Sequence, residues 1–180
     1  MKKLHLAAST DNLRPQLQHI QVKNNFVYST NCHILVKIPV NEVFGEDIIQ
    51  NNEELYFPAL QWKKQNFYKA LTIIRTENIF KAYDHKMNLL GIIEAVTLTD
   101  FIEKIGRFPD CENVIPAGEI QQIDQLSINP DLYKNLIDVF NLDVPLFKMK
   151  FYGTTKPVVI ENFKDQTAGI GIIMPIDFNH

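Results

Sequence analysis

Apolar and polar residues alternate with a period of two over much of the chain. Across residues 26–38 one set comprises Phe26, Tyr28, Thr30, Cys32, Ile34, Val36 and Ile38, and the other comprises Val27, Ser29, Asn31, His33, Leu35 and Lys37. That alternation predicts a single long strand. A strand over residues 16–23 precedes it, joined by Asn24-Asn25, a pair that tolerates the left-handed backbone of a tight hairpin turn. Further strands are predicted over residues 73–76, 79–84, 89–96, 146–151, 158–162 and 169–175.

Helical periodicity is confined to fewer places. A helix is predicted over residues 58–71, with Pro58 in its first turn, where a missing N–H is harmless. Leu60, Phe67 and Leu71 share one face of it, and Gln61, Gln65, Asn66 and Lys69 share the other. Trp62 falls toward the polar side. It reads either as an exposed stacking residue or as a side chain packed on a neighbour. A second helix spans residues 130–140, with Asn129 as its N-cap and Leu132, Leu136, Val139 and Phe140 as its apolar stripe. A short helix is predicted over residues 99–105, and residues 46–54 form a loop.

Residues 55–96 and residues 126–175 each read as strand, helix, then two or three strands. A repeated strand-helix-strand-strand-strand unit implies an α+β fold with antiparallel sheets and helices on one face.

Composition narrows the chemistry. A chain of 180 residues can bury a core without disulfide or metal. The net charge of −3 means that any nucleic-acid contact must come from a local basic patch. Cys32 and Cys111 are the two cysteines, no CxxC occurs, and no apolar run approaches the ~20 residues of a membrane span. These features read as a reduced, cytoplasmic protein with no membrane partner.

Three segments carry a further signal. They are Ser29-Thr30-Asn31-Cys32-His33-Ile34-Leu35, then Gly106-Arg107-Phe108-Pro109-Asp110 with Val114-Ile115-Pro116, then Ile172-Ile173-Met174-Pro175-Ile176. In this order they resemble the bacterial DNA polymerase III β subunit, the sliding clamp, whose motifs run Ala-Thr-Asp-Gly-His-Arg-Leu, Gly-Arg-Phe-Pro-Asp-Tyr…Val-Leu-Pro and Val-Val-Met-Pro-Met. Leu13-Arg14-Pro15 and Phe57-Pro58-Ala59 add weaker matches.

The resemblance implies a DNA-clamp-like fold made of repeated βαβββ half-units. It covers a truncated middle domain over residues 1–117 and a single C-terminal half-unit over residues 118–180. It implies a non-enzymatic protein without cofactor, which binds DNA, a partner peptide or both, and which forms a homo-oligomer. Its partners would be double-stranded DNA and peptides of polymerases or other replication proteins. Carried over, the peptide groove comprises Thr30, Cys32, His33, Ile34, Leu35, Pro109, Asn113, Val114, Met174, Pro175 and Ile176. The family often has arginine where this chain has Ile34, Asn113 and Asp177, so its partner motif would differ. The same residues also read as ordinary core and turn residues. Lys63, Lys64 and Lys69, without acid on their helix, are the DNA-contact candidates, and a merely solvated face is the alternative. Gln125-Leu126-Ser127-Ile128 looks like a clamp-binding peptide, but its alternation reads as the first strand of the last half-unit.

Two other function classes remain open. One is a clamp-fold interaction module with no role in replication. The other is an enzyme using Cys32, His33 and Cys111. In a strand Cys32 and His33 would face opposite sides, so they make no nucleophile-base pair, and a metal site there lacks an evident fourth ligand. Two buried thiols are the simpler reading of the cysteines.

Overall fold

The computed structural model describes residues 1–142, 146–162, 165 and 168–176. Its first hairpin follows from local chemistry. β1 (His19–Lys23) and β2 (Phe26–Thr30) pair antiparallel across Asn24 and Asn25, whose φ angles of 50° and 63° are both left-handed. The part of the predicted first strand before His19 is instead a 3₁₀ turn, Pro15–Gln18.

The predicted strand over residues 26–38 is two strands. The chain reverses at Asn31, Cys32 and His33, and β3 (Ile34–Pro39) pairs back onto β2, with Thr30 opposite Leu35 and Tyr28 opposite Lys37. Asn31 drives the reversal, because its side-chain oxygen accepts the backbone N–H groups of both His33 and Ile34 at 2.9 Å. Cys32 sits at φ 74° in this turn. It stands where the clamp motif has glycine, the residue suited to that conformation. The reversal reassigns the faces. Tyr28 and Thr30 share a face with Leu35 and Lys37, whereas Val27 and Ser29 share theirs with Ile34, Val36 and Ile38.

A short helix α1 (Asn41–Phe44) leads to β4 (Leu55–Pro58), which pairs with β1. α2 (Ala59–Lys64) is less than half the predicted length. Asn66, at φ 53°, stops it, and a 3₁₀ turn (Phe67–Lys69) follows. The predicted apolar face is wrong as well, for Leu60 is 60% exposed and Leu71 72%, while Ala59, Trp62 and Phe67 are buried. Trp62 sits against Phe44, Phe57 and Phe67, at ring-centroid distances of 5.8, 6.0 and 5.2 Å, and donates its indole N–H to the Lys2 carbonyl. It is a core residue, not a stacking platform.

β5 (Thr72–Thr76), β6 (Ile79–Tyr83) and β7 (Leu89–Glu94) form a separate three-stranded antiparallel sheet. Its inner face adds Ile73, Phe80, Ala82 and Ile93 to the main core. β8 (Val96–Thr97) rejoins β4. α3 (Leu98–Lys104) follows at once, and Thr97 caps it by accepting the Asp100 N–H.

α4 (Pro130–Phe140) has the predicted bounds, and Asn129 accepts the N–H groups of Asp131 and Leu132. Leu136, Val139 and Phe140 are buried. Residues 125–128, expected as a strand, are not one. Among the described residues they make a single backbone bond to the last segment, Ile176 N–H to Ser127 O at 2.7 Å. β9 (Phe147–Lys150), β10 (Val158–Asn162) and β11 (Ile170–Ile173) complete the fold.

The larger sheet runs β8-β4-β1-β2-β3-β11-β10-β9, antiparallel throughout. One face carries α2, α4 and the N-terminal 3₁₀ turn Leu4–Leu6 over the main core. The other face carries a smaller cluster of Tyr28, Leu35, Cys111 and Ile172. α3 flanks that second face at the sheet's edge, where Phe101 stacks on Tyr56 at 3.7 Å and 6°. The fold is therefore α+β with antiparallel sheets, and strands from both halves of the chain share one sheet.

Candidate binding groove

The functional candidate lies on the second face, where the β3–β11 pairing joins distant parts of the chain. Leu35 stands opposite Ile172 and Ile34 opposite Ile173, and beyond the strand the Met174 N–H donates to the His33 carbonyl at 2.9 Å. Alternation in β11 sends Ile172 to this face and Gly171 and Ile173 to the helix side.

The third element is an arm, residues 106–116, laid across the sheet. Gly106, at φ 119°, turns the chain out of α3 while its N–H still bonds the Phe101 carbonyl at 3.0 Å. Asp110 accepts the Glu112 N–H and the Asn113 amide, which rounds the arm into a 3₁₀ turn, Glu112–Val114. Cys111 is pressed beneath it into the small core. Glu112 fixes the arm to the sheet, accepting the Tyr28 hydroxyl and the Lys37 ammonium, the latter at 2.8 Å, while Lys37 also lies over the Phe26 ring at 4.2 Å. Burial raises the Glu112 pKa, but the bonds from Lys37 and Tyr28 outweigh it and hold the carboxyl below its ordinary value. Burial and the Glu112 bond push the Tyr28 hydroxyl well above its usual range, so it remains a donor.

Between hairpin turn, arm and β11 lies a mostly apolar cavity of about 270 Å³. Eight of the eleven predicted residues line it: Thr30, Cys32, His33, Ile34, Leu35, Pro109, Val114 and Met174. Three do not. Asn113 is exposed and spent on Asp110, while Pro175 and Ile176 pass beyond the cavity as Ile176 reaches Ser127. Asp177 lies outside the described residues. The structure adds Ile172, which sequence reasoning left out, and Cys111, which the resemblance had placed near Cys32 and His33 but not among the groove residues. Ile172 was visible as the residue two before Met174 on the same strand face, and Cys111 as the residue two beyond Pro109.

The lining of the cavity is mostly apolar. Cys32 is exposed and Cys111 buried, so the expected pair of buried thiols is corrected to one. Burial, then Asp110 and Glu112, push the Cys111 thiol up to about 12, so at neutral pH it carries its proton and is a poor nucleophile. Cys32 and His33 are neighbours in a turn rather than on a strand. No group of three His, Cys, Asp or Glu side chains able to hold a metal occurs among the described residues. No helix among them is long and apolar enough to cross a membrane.

The predicted DNA-contact lysines lie on the helix side. Lys63, Lys64 and Lys69 are exposed, the first two on α2 and the third on the following 3₁₀ turn, 5.6 Å from the Tyr68 ring centroid. Lys63 lines a broad depression of about 790 Å³ with His5, Arg14 and Asn135.

No protein-family model matches the chain, and no curated protein matches it in sequence. Solved structures match its fold. The β subunit of DNA polymerase from Streptococcus pyogenes aligns with a TM-score of 0.60 at 11% identity, covering 97% of this chain and 63% of that one. The DNA polymerase III β subunit from Borrelia burgdorferi gives 0.60 at 12% identity, with 99% and 64% covered. The H. pylori β clamp gives 0.63 at 10% identity, with 98% and 62% covered. The chain spans less than two thirds of the length of these proteins. What it shares with them is the sliding-clamp fold.

Proposed function

We propose that this chain is a non-enzymatic, sliding-clamp-like protein that receives a short apolar peptide of a partner in the groove between hairpin turn, arm and β11. The observation that carries this reading is the convergence of three segments, far apart in sequence, on one apolar cavity within a clamp fold. Peptide grooves are apolar with few polar groups, and Met174 supplies an adaptable wall. The groove would mark the boundary between a domain over residues 1–117 and a half-unit over residues 118–180. Double-stranded DNA would run along the helix side past Lys63, Lys64 and Lys69, and copies of the chain would assemble around it.

A second reading, an interaction module that binds peptide without DNA, is favoured by α4. That helix carries Asp131 and Asp138, and its one lysine, Lys134, is held by Asp138 at 2.5 Å. Phosphate contact needs cations with little acid beside them.

The test is selection of a random 12-residue peptide library on the protein, followed by anisotropy with the enriched peptides. Val114→Asp, a change at a half-exposed position, should abolish their binding while circular dichroism stays native. Failure to enrich any peptide, or unchanged binding by Val114→Asp, would refute the groove. Retention on a long DNA duplex, with light scattering to count subunits, separates clamp from module.

A further inference from the structure

A second cavity, about 450 Å³, lies on the other side of the arm. It shares Pro109 and Cys111 with the groove, so the two hollows lie on either side of the arm's turn. Its wall is provided by α3, which has two apolar faces. Phe101 faces inward and is fully buried against Tyr56, whereas Leu98 and Ile102, four residues apart and therefore neighbours on one face, are 38% and 42% exposed. Phe108 continues this apolar surface. Nothing in the fold among the described residues covers Leu98 and Ile102.

Each charged side chain around this cavity already has an ion-pair or hydrogen-bond partner, with one exception. Glu54 takes Lys23 at 3.7 Å and the Gln21 amide at 2.9 Å. Glu112 takes Lys37 and Tyr28. Asp110 accepts the Glu112 N–H and the Asn113 amide. Arg107 is exposed, lines the same cavity, and has neither ion pair nor hydrogen bond among the described residues. A free guanidinium beside an uncovered apolar helix face is complementary to an apolar side chain next to a carboxylate.

We infer that the second cavity takes the continuation of the groove peptide, with an apolar residue against Leu98, Ile102 and Phe108 and an Asp or Glu at Arg107. The partner motif is then bipartite, with its two parts straddling Pro109. This inference rests on the groove reading and specifies its partner. Two grips also make sense of a chain lacking the groove-side arginine at Ile34, since the cation is supplied from the arm instead.

The experiment uses the full chain and the peptides enriched by selection. Enriched sequences should carry an acidic residue and a second apolar residue outside the groove anchor. Ile102→Asp and Arg107→Glu, both surface changes, should each weaken the full peptide at least tenfold. Both should bind a peptide trimmed to the groove anchor as the wild type does. A peptide with its acid changed to Lys should recover affinity for Arg107→Glu. If both variants bind the full peptide like wild type while Val114→Asp abolishes binding, the second cavity is refuted and the groove stands. If no peptide binds the wild type, both fall together.

Discussion

The seam between β3, β11 and α4 can be tested by a double-mutant cycle at Gly171 and Leu136. Gly171 faces α4 from β11, and a Cβ placed on it would lie 2.9 Å from Leu136 Cδ1, 3.0 Å from Cγ and 3.2 Å from Cδ2. Carbon contacts settle near ~3.5–4.0 Å, so Leu136 would have to retreat by several tenths of an ångström. Leu136 is fully buried and has little room to do so. Overpacking of this kind costs about 1–3 kcal/mol. Replacing glycine inside a strand returns roughly 0.5–1 kcal/mol. Gly171→Ala alone should thus destabilise by about 0–2.5 kcal/mol. Leu136→Ala alone should cost about 2–5 kcal/mol, through lost burial and the cavity left behind. In the double variant the alanine at 171 no longer meets leucine, and its methyl fills part of the void. It should be more stable than Leu136→Ala alone, with a coupling of about 1 kcal/mol or more in its favour. Urea unfolding followed by the fluorescence of Trp62, the chain's one tryptophan, measures all four corners. In thermal scans each kcal/mol appears as about 2–4 °C. Strict additivity, or a double variant less stable than Leu136→Ala, would refute the claimed approach of α4 to β11.

Three further outcomes follow from local features. Burial, then Lys63 and Lys3, lower the His5 pKa to about 4, so folded His5 stays neutral where the unfolded chain is protonated. Its contribution is complete above pH 6.5 and is lost as pH falls toward 4, so the stability of His5→Gln should decline less over that interval, and parallel curves would refute it. With Cys32 exposed and Cys111 buried and shifted upward, Ellman's reagent should titrate one thiol in the native protein and the second after unfolding; two rapid equivalents would contradict the structure. Thr97→Ala removes the α3 cap and should cost about 1 kcal/mol in urea unfolding, with Thr97→Ser largely retaining it.

How much was legible depended on whether the determining chemistry was local. α4 was readable to the residue because its cap, its proline and its apolar stripe all lie within residues 129–140. The Asn24-Asn25 turn was equally local. α2 was misread because two of the rings that bury Trp62, Phe44 and Phe57, come from outside residues 58–71, and propensity over that window is silent about them. The 125–128 segment alternates like a strand but found no ladder partner, and alternation alone does not supply one. Most residues lining the cavity were legible through motif order rather than physics. The misses at Asn113, Pro175 and Ile176 fall where a short turn or a single backbone bond redirects the chain.

The misread strand over residues 26–38 is the most instructive, because its correction creates the site. A single strand would project Tyr28 and Ile34 to the same face and leave Leu35 on the other. The three-residue turn at Asn31, Cys32 and His33 shifts the phase of the alternation. Leu35 thereby joins Tyr28, while Ile34 and Val36 turn toward the main core. The turn also returns the chain as β3, whose outer edge is free to take β11, and that pairing brings Ile172 and Met174 beside the turn itself. Glu112, bound to Tyr28 on β2 and Lys37 on β3, then fixes the arm over a surface that exists only in the reversed arrangement. The turn held by the Asn31 and Thr30 side chains, which bond the backbone of Cys32, His33 and Ile34, is thus the local event on which sheet order, cavity wall and arm attachment depend.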